Sequence, residues 1–221
     1  MINVAIDGPA GAGKSTVARA AAAQLNYIYV DTGALYRAVG VHALRQGAET
    51  TNREQVTALL GDISVELKFV DGEQQVLLNS ENVSAEIRTP EASMAASNVS
   101  AIPEVRAFLF DLQRDIAKKN NCIMDGRDIG TVVLPDAQVK IFLTAAPEKR
   151  AKRRYDELIA KGSSVEYKDV LEDLIKRDYN DSHREVAPLK PAQDSVIVDT
   201  SDLDLQQSIE KVTQIIREKT I

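Results

Sequence analysis

The clearest chemical signal in the sequence is the segment AIDGPAGAGKST, residues 5–16, in which an apolar run leads through glycines into Lys-Ser-Thr. Gly8, Gly13, Lys14 and Ser15 occupy the fixed positions of Gly-x-x-x-x-Gly-Lys-Ser/Thr. In such a loop the glycines let backbone N–H groups approach phosphate oxygens, the lysine reaches the β and γ phosphates, and the hydroxyl is offered to Mg²⁺. The spacing therefore predicts a nucleoside triphosphate site. Its predicted residues are Gly8, Pro9, Ala10, Gly11, Ala12, Gly13, Lys14, Ser15 and Thr16.

A dinucleotide-binding turn is the nearest alternative, because Gly11 and Gly13 form Gly-x-Gly and Asp31 follows about 20 residues later. That pattern has Thr16 at its third glycine position and leaves Lys14 without a role. The sequence also lacks the Asn-Lys-x-Asp of GTP switches and a Ser-Gly-Gly-Gln-like segment of transporter ATPases. A small-molecule kinase remains, and such an enzyme needs a second anion-binding pocket that faces the γ-phosphate.

Two segments at the ends of predicted strands could form that second pocket. DTGALYRAV (31–39) places Tyr36 and Arg37 where a strand meets its helix, at the edge of a parallel sheet where ligands bind. MDGRDIGTVV (124–133) brings Asp125, Arg127 and Asp128 together after another apolar strand, where packing alone has no use for them. A surface arginine in the first segment and a salt-bridged turn in the second are the structural alternatives.

Two helical segments offer further candidates. Arg177, Asp181 and Arg184 are spaced i, i+4, i+7, which predicts that they share one face of a helix. A solvated stripe of ion pairs explains that spacing equally well. Ser97 and Arg106, on helices that follow a β-rich segment, are unremarkable taken alone.

The elements that must position these residues alternate between apolar runs and helical patterns. The predicted strands are INVAID, YIYVD, NCIMD, VKIFLTA and SVIVDT. The predicted helices are STVARAAAAQLN, one from Pro103, one from Pro147 and one from Leu205. Near-continuous apolar strands separated by helices predict an α/β fold, with a parallel sheet covered on both faces. The segment 64–84 breaks this alternation, because two β segments flank Asp71-Gly72 and a third follows, which predicts a small antiparallel insertion.

Composition limits the possible partners and location. The chain has 221 residues, a net charge of −6 and 44% apolar residues, as in ordinary globular proteins. The acidic balance is a poor match to nucleic acid or an anionic membrane surface. The single cysteine, Cys122, is expected to be buried in a strand and suits a reducing compartment. With neither a signal-peptide pattern nor a long apolar segment in the sequence, we expect a cytoplasmic protein. We also expect a monomer, because no exposed apolar helix stands out in the sequence.

Taken together, the segments make the chain resemble the bacterial cytidylate kinases of the nucleoside monophosphate kinase family. The motifs are GPAGAGKST, DTGALYR, SAEIRTPEASMAAS, DGRDIGTVV and RDYNDSHREVAPL, and the resemblance runs from about residue 2 to residue 216. It implies one P-loop kinase unit over residues 1–221, with a parallel sheet of about five strands covered by helices on both faces. Residues 1–61, 103–147 and 185–221 would form the core, 62–102 a monophosphate-binding insertion with a small antiparallel sheet, and 148–184 the lid and its flanking helices.

The resemblance also implies an activity, the transfer of phosphate from ATP to CMP or dCMP with Mg²⁺. The implied CMP-site residues are Thr32, Tyr36, Arg37, Ser97, Arg106, Asp125, Arg127, Asp128, Arg177, Asp181 and Arg184. Among them the phosphates would be bound by Arg37, Arg127 and Arg184, cytosine by Ser97, Arg106 and Asp128, and the ribose by Arg177 and Asp181. Lys14, Arg127 and Arg184 would stabilise the transferring phosphoryl group, and Ser15 would hold Mg²⁺ together with the ATP phosphates.

The basic stretch from Arg150 to Arg154 resembles the lid, with Arg153 as the expected ATP contact. Two other classes of protein stay open. One is a kinase for another small molecule, and the other is a nucleotide-binding regulator without turnover.

Overall fold

The computed structural model describes residues 1–70 and 73–220, so the predicted hairpin turn at Asp71-Gly72 lies outside the described residues. In chain order the elements are β1 (Asn3–Asp7), α1 (Lys14–Leu25), β2 (Ile28–Asp31), α2 (Thr32–Arg45), α3 (Arg53–Ala58), β3 (Val65–Val70), β4 (Glu73–Leu78), β5 (Glu81–Asn82), α4 (Pro90–Val99), α5 (Pro103–Lys119), β6 (Cys122–Gly126), β7 (Val139–Thr144), α6 (Pro147–Ala160), α7 (Tyr167–His183), β8 (Val196–Asp199) and α8 (Leu205–Thr220). Short 3₁₀ turns lie at Leu59–Asp62 and Glu86–Arg88, and a π-helical turn at Ile129–Val133.

The central sheet has five parallel strands in the order β2-β6-β1-β7-β8, which confirms the α/β prediction. In the register of β1, Asp7 lies opposite Gly126 of β6 and Phe142 of β7. The carboxyl ends of β1 and β6 therefore lie side by side. This register places the phosphate-loop segment next to the segment that carries Arg127 and Asp128.

Helices cover both faces of the sheet. On one face, α1 and α8 bury an apolar stripe against the strands, and Val212 and Ile216 of α8 are fully buried there. On the other face, α5 and the π-helical turn cover Cys122 and Met124 of β6. Cys122 is fully buried, as predicted, and this burial raises the pKa of its thiol to about 12.

The predicted antiparallel insertion is also confirmed, as a three-stranded sheet in the order β3-β4-β5. Its apolar side packs with α2, α4 and α5 in one core cluster. The two helices α2 and α4 approach closely at Gly40, where an added Cβ would lie 2.8 Å from the Cβ of Ala95. The insertion is therefore joined to the helices that carry Arg37 and Ser97.

Helix α7 ends at His183, and Arg184 is its C-cap. The Arg184 N–H still bonds to the Asn180 carbonyl at 3.1 Å and its φ is −63°, whereas its ψ of 143° turns the chain out of the helix after this residue. The guanidinium of Arg184 donates to the Ala187 carbonyl at 2.7 Å and approaches Asp128 at 3.4 Å. Among the helices of residues 1–70 and 73–220, none has the length and apolar character to span a membrane.

Candidate active site

The phosphate loop connects the end of β1 to the first turn of α1. Gly13 caps that helix with φ 87°, a conformation that favours glycine. Gly8 packs so closely on β7 that an added Cβ would lie 1.9 Å from the Leu143 carbonyl oxygen. The Lys14 side chain is 6% exposed, and its ammonium donates to the Pro9 carbonyl at 2.8 Å. Burial lowers the pKa of Lys14, and the charge of Arg127 lowers it further.

The Asp125 carboxylate lies directly beside the phosphate loop and is buried. It accepts hydrogen bonds from the Ser15 hydroxyl at 2.9 Å and from the Tyr29 hydroxyl at 3.0 Å. Thr32 donates to the backbone carbonyl of the same residue at 2.8 Å. Burial raises the pKa of Asp125 to about 6, with a further increase from the charge of Asp31. Asp125 thus contacts the phosphate loop through its carboxylate and the start of α2 through its backbone carbonyl.

Several guanidinium groups line the same cleft as the phosphate loop. Arg127 donates from Nε to Asp181 at 2.8 Å, and Arg37 pairs with Asp31 at 3.3 Å. Arg177 is mostly buried, and its Nε has no hydrogen-bond partner within residues 1–70 and 73–220. Burial lowers the pKa of Arg177 to about 10, and the charge of Arg127 contributes in the same direction. The cluster therefore carries positive charge that its own carboxylates neutralise only in part.

A buried ion-pair group lies deeper, around Asp128. The Asp128 carboxylate pairs with Arg106, and Arg184 approaches it at 3.4 Å. Arg106 also donates to the Ser100 carbonyl at 3.3 Å, and its guanidinium lies 5.7 Å from the centre of the Tyr36 ring. Burial raises the pKa of the Asp128 carboxyl, against the lowering effect of the Arg106 and Arg184 charges. The result is a pocket that offers guanidinium donors and a carboxylate acceptor beside an aromatic ring.

These groups line one continuous cleft of about 1530 Å³. The sequence-predicted residues that line it are Ala10, Gly11, Ala12, Gly13, Lys14, Ser15, Thr16, Thr32, Tyr36, Arg37, Ser97, Arg106, Asp125, Arg127, Asp128, Arg153, Arg177, Asp181 and Arg184. Gly8 and Pro9 are not among the cleft-lining residues: Gly8 packs against the Leu143 carbonyl, and the Pro9 carbonyl accepts from Lys14. The fold thus brings residues from both ends of the sequence and from the insertion to a single site.

Comparison with known proteins decides what kind of site this is. A family model described as Cytidylate kinase matches residues 4–218. A protein named Cytidylate kinase from Caldicellulosiruptor bescii is 50% identical over 214 residues, which is 97% of this chain and 95% of that protein. The chain belongs to the cytidylate kinase family. Another member, from Carboxydothermus hydrogenoformans, is 48% identical over 218 residues, which is 99% of this chain and 98% of that protein.

Cytidylate kinases are nucleoside monophosphate kinases, so the chain is an ATP-dependent phosphotransferase that acts on small-molecule nucleotides. Kinases of this kind usually work with a divalent metal ion. A solved gluconokinase structure from Sinorhizobium meliloti is similar with a TM-score of 0.50 and 13% identity, and covers 98% of this chain and 92% of that one. That likeness concerns the fold alone, and it agrees with a P-loop kinase architecture.

Two arginines of the basic stretch, Arg150 and Arg153, have different surroundings in the structure. Arg153 lines the cleft and donates to the Thr200 carbonyl at 2.6 Å. Arg150 is buried and donates to the Ala10 carbonyl at 2.9 Å, and it pairs with Asp178 of α7 at 2.6 Å. Arg150 is therefore a support beneath the phosphate loop, in contrast to its predicted place in the lid. The buried Arg150 guanidinium supplies the hydrogen-bond donor for the Ala10 carbonyl.

Sequence reasoning did not single out several residues that contact the predicted site residues or lie beside them in the cleft, namely Asp7, Tyr29, Asp31 and Ser100. Asp7 and Asp31 carried a usable signal, because each ends a predicted strand of a parallel sheet, where functional groups collect. Tyr29 and Ser100 carried none. Tyr29 has a role through a contact with Asp125, which is 96 positions away in the sequence.

Proposed function

We propose that this cytidylate kinase family member transfers the γ-phosphate of ATP to CMP or dCMP, by direct in-line attack of the acceptor phosphate. The single observation that carries this function is one cleft lined by two facing sets of phosphate-binding groups. The phosphate loop with Lys14 lies on one side, and the guanidiniums of Arg37, Arg127 and Arg177 lie on the other. The charges of Arg127 and Arg177 both lower the pKa of Lys14, in agreement with this placement of the two sets in one cleft.

On the donor side, the backbone of residues 8–16 would hold the ATP phosphates, with Arg153 near the donor nucleotide. The Ser15 hydroxyl and the Asp125 carboxylate form a hard-oxygen pair at 2.9 Å, and such oxygens fit Mg²⁺, which also takes ligands from substrate phosphates. We propose Ser15 as the metal ligand, with Asp125 as the group that orients it. Bound Mg²⁺ would neutralise negative charge on the phosphates.

On the acceptor side, the main support is Arg177, whose buried Nε has no hydrogen-bond partner among the described residues. A buried guanidinium with an unsatisfied donor is costly unless an anion binds to it, so Arg177 favours a phosphate ligand, and Arg127 adds positive charge beside it. Arg37 and Thr32 lie at the start of α2 and complete the acceptor side. Asp181, already bonded to Arg127, has the position to accept from a ribose hydroxyl while it orients that guanidinium.

The pocket around Asp128 would read the base. Cytosine presents an N4 amine that donates and N3 and O2 atoms that accept, which match the Asp128 carboxylate and the Arg106 guanidinium. Uracil would place its O4 acceptor against the carboxylate and its N3–H donor against the guanidinium, so both contacts would be mismatched. Tyr36 beside Arg106 and Ser97 on α4 complete the pocket.

Transfer requires no side-chain nucleophile. Phosphoryl transfer has a loose transition state, and the protein acts mainly by positioning and by charge stabilisation. Lys14, Arg127 and Arg184 would supply that charge at the transferring group. Closure of residues 148–184 as a lid and of residues 62–102 as the acceptor-binding insertion would exclude water, the competing acceptor. We further propose that the chain acts as a monomer in the cytoplasm. Its net charge of −6 supports the proposal that it has no nucleic-acid partner.

An ADP-release assay with ATP, Mg²⁺ and a panel of CMP, dCMP, UMP, AMP and GMP tests this function. We expect rapid ADP release with CMP and dCMP and slow release with the other acceptors. ADP release with none of the panel would favour a kinase for another small molecule or a regulator without turnover. Arg177→Gln should raise the KM for CMP, whereas Arg53→Gln, which removes an exposed guanidinium paired with Glu104, should leave it unchanged.

A further inference from the structure

The π-helical turn after Asp128 is capped in an unusual way. Asp128 occupies the N-cap position, and its carbonyl accepts from Val132 at 2.9 Å and from Val133 at 3.2 Å. An aspartate at an N-cap ordinarily accepts with its side chain from the backbone N–H two or three residues later. The Asp128 side chain makes no such bond. It points to Arg106 and Arg184 instead.

The first two N–H groups of this turn are bonded by Asp7, at the end of β1. Asp7 accepts from the Ile129 N–H at 2.8 Å with one oxygen and from the Gly130 N–H at 2.7 Å with the other. Its side chain is buried, with the residue 4% exposed. The fit is close, because a Cβ on Gly130 would lie 3.3 Å from Asp7 Oδ2 and 3.2 Å from Cδ of Lys140.

We propose that Asp7 is a positioning residue for base recognition, because it caps the turn in place of Asp128 and leaves the Asp128 carboxylate free to face the base. This role rests on the proposed function, in which Asp128 reads cytosine. With Asp7 in place, the Gly130 N–H that Asp128 would otherwise accept from is occupied. Rotation of the Asp128 side chain toward its own turn would then break two arginine contacts and would find the Gly130 N–H already bonded to Asp7.

Electrostatics acts in the same direction. Asp7 and Asp128 repel each other, and this repulsion adds to burial in raising the pKa of Asp7 to about 6. A carboxylate already capping the turn therefore disfavours a second one at the same place. Asp7 also directly precedes Gly8, so one side chain links the start of the phosphate loop to the base-reading turn.

The substitution Asp7→Asn in the full chain tests this role, since it keeps the shape but replaces one acceptor with a donor. When the hydrogen bonds from position 7 to the turn are weakened, the Asp128 side chain can rotate to cap its own turn. We expect the KM for CMP to rise about tenfold and the preference for CMP over UMP to fall by about the same factor, the value of one lost hydrogen bond. The KM for ATP should stay within about twofold, because the loop itself keeps its contacts.

Three comparisons separate this role from general destabilisation. Val198→Ala, a buried change in β8, should lower stability without altering the CMP-to-UMP preference. In an Asp128→Ala background, Asp7→Asn should cause no further loss of preference. If Asp7→Asn does not fold, Gly130→Ala crowds the same carboxylate without removing it, and the same shift in preference is expected.

An unchanged preference in a folded variant would overturn the inference, as would equal increases in the KM values for ATP and CMP. Failure of the proposed function is distinguishable, because the unmodified chain would then release no ADP in the presence of CMP.

Discussion

Replacing Asp128 with alanine removes the carboxylate at the centre of the base-reading pocket. Its side chain is 6% exposed, and the side chains of its partners Arg106 and Arg184 are 9% and 7% exposed. The change leaves two guanidiniums close together without their carboxylate. Because breaking a buried ion pair leaves an uncompensated charge, we expect the free energy of unfolding of the ligand-free protein to fall by about 3–5 kcal/mol.

The same change should affect substrates unequally. CMP loses the acceptor for its N4 amine, and a buried hydrogen bond to a charged group contributes roughly 1.5–3 kcal/mol. Since each 1.4 kcal/mol or so is a factor of ten, kcat/KM for CMP should fall by about 10²-fold. UMP makes no such bond, so its kcat/KM should change much less. The preference for CMP over UMP should therefore nearly disappear.

Urea denaturation without ligands measures the first effect, and coupled ADP release with CMP and UMP measures the second. Glu104→Ala is the control, because it removes a carboxylate from an exposed pair with Arg53 and should change neither quantity. A folded Asp128→Ala protein that keeps the full preference for CMP would show that base recognition lies elsewhere.

Three further perturbations have definite expected outcomes. Lys14→Met should lower kcat by about 10²–10³-fold without loss of stability in ligand-free thermal melts, because it removes a desolvated charge; near-normal kcat would contradict a catalytic role. Gly40→Ala should destabilise the protein by about 1–3 kcal/mol through crowding of α4, whereas Gly61→Ala, with open space around it, should stay within about 0.5 kcal/mol in urea titrations. The raised pKa of Asp7, about 6, means that the folded state binds a proton that the unfolded state does not at pH 5. Lowering the pH from 7.5 to 5 should therefore stabilise the unmodified chain relative to Asp7→Asn by about 1.4 kcal/mol in urea unfolding, and an unchanged difference would contradict the raised pKa.

Local patterns in the sequence were sufficient for the main elements. The five central strands follow from short apolar runs, and α1 and α8 follow from apolar residues at helical spacing, because both signals depend on neighbours in the sequence. The phosphate loop follows from the fixed spacing of Gly8, Gly13 and Lys14, since backbone conformation at glycine is a local property. The antiparallel insertion follows from strand patterns without an intervening helix.

The pairing of charged groups was decided by tertiary structure alone. Arg184, at the end of α7, approaches Asp128, 56 positions earlier, and Arg150 donates to the carbonyl of Ala10 in the phosphate loop, 140 positions away. Asp7 caps a turn 122 positions away. The sequence by itself determined which chemical groups this chain possesses and the strands and helices that carry them. Only the folded arrangement decided which group neutralises, caps or orients which other, because these choices depend on burial and distance across the sheet, and neither quantity is encoded in neighbouring residues.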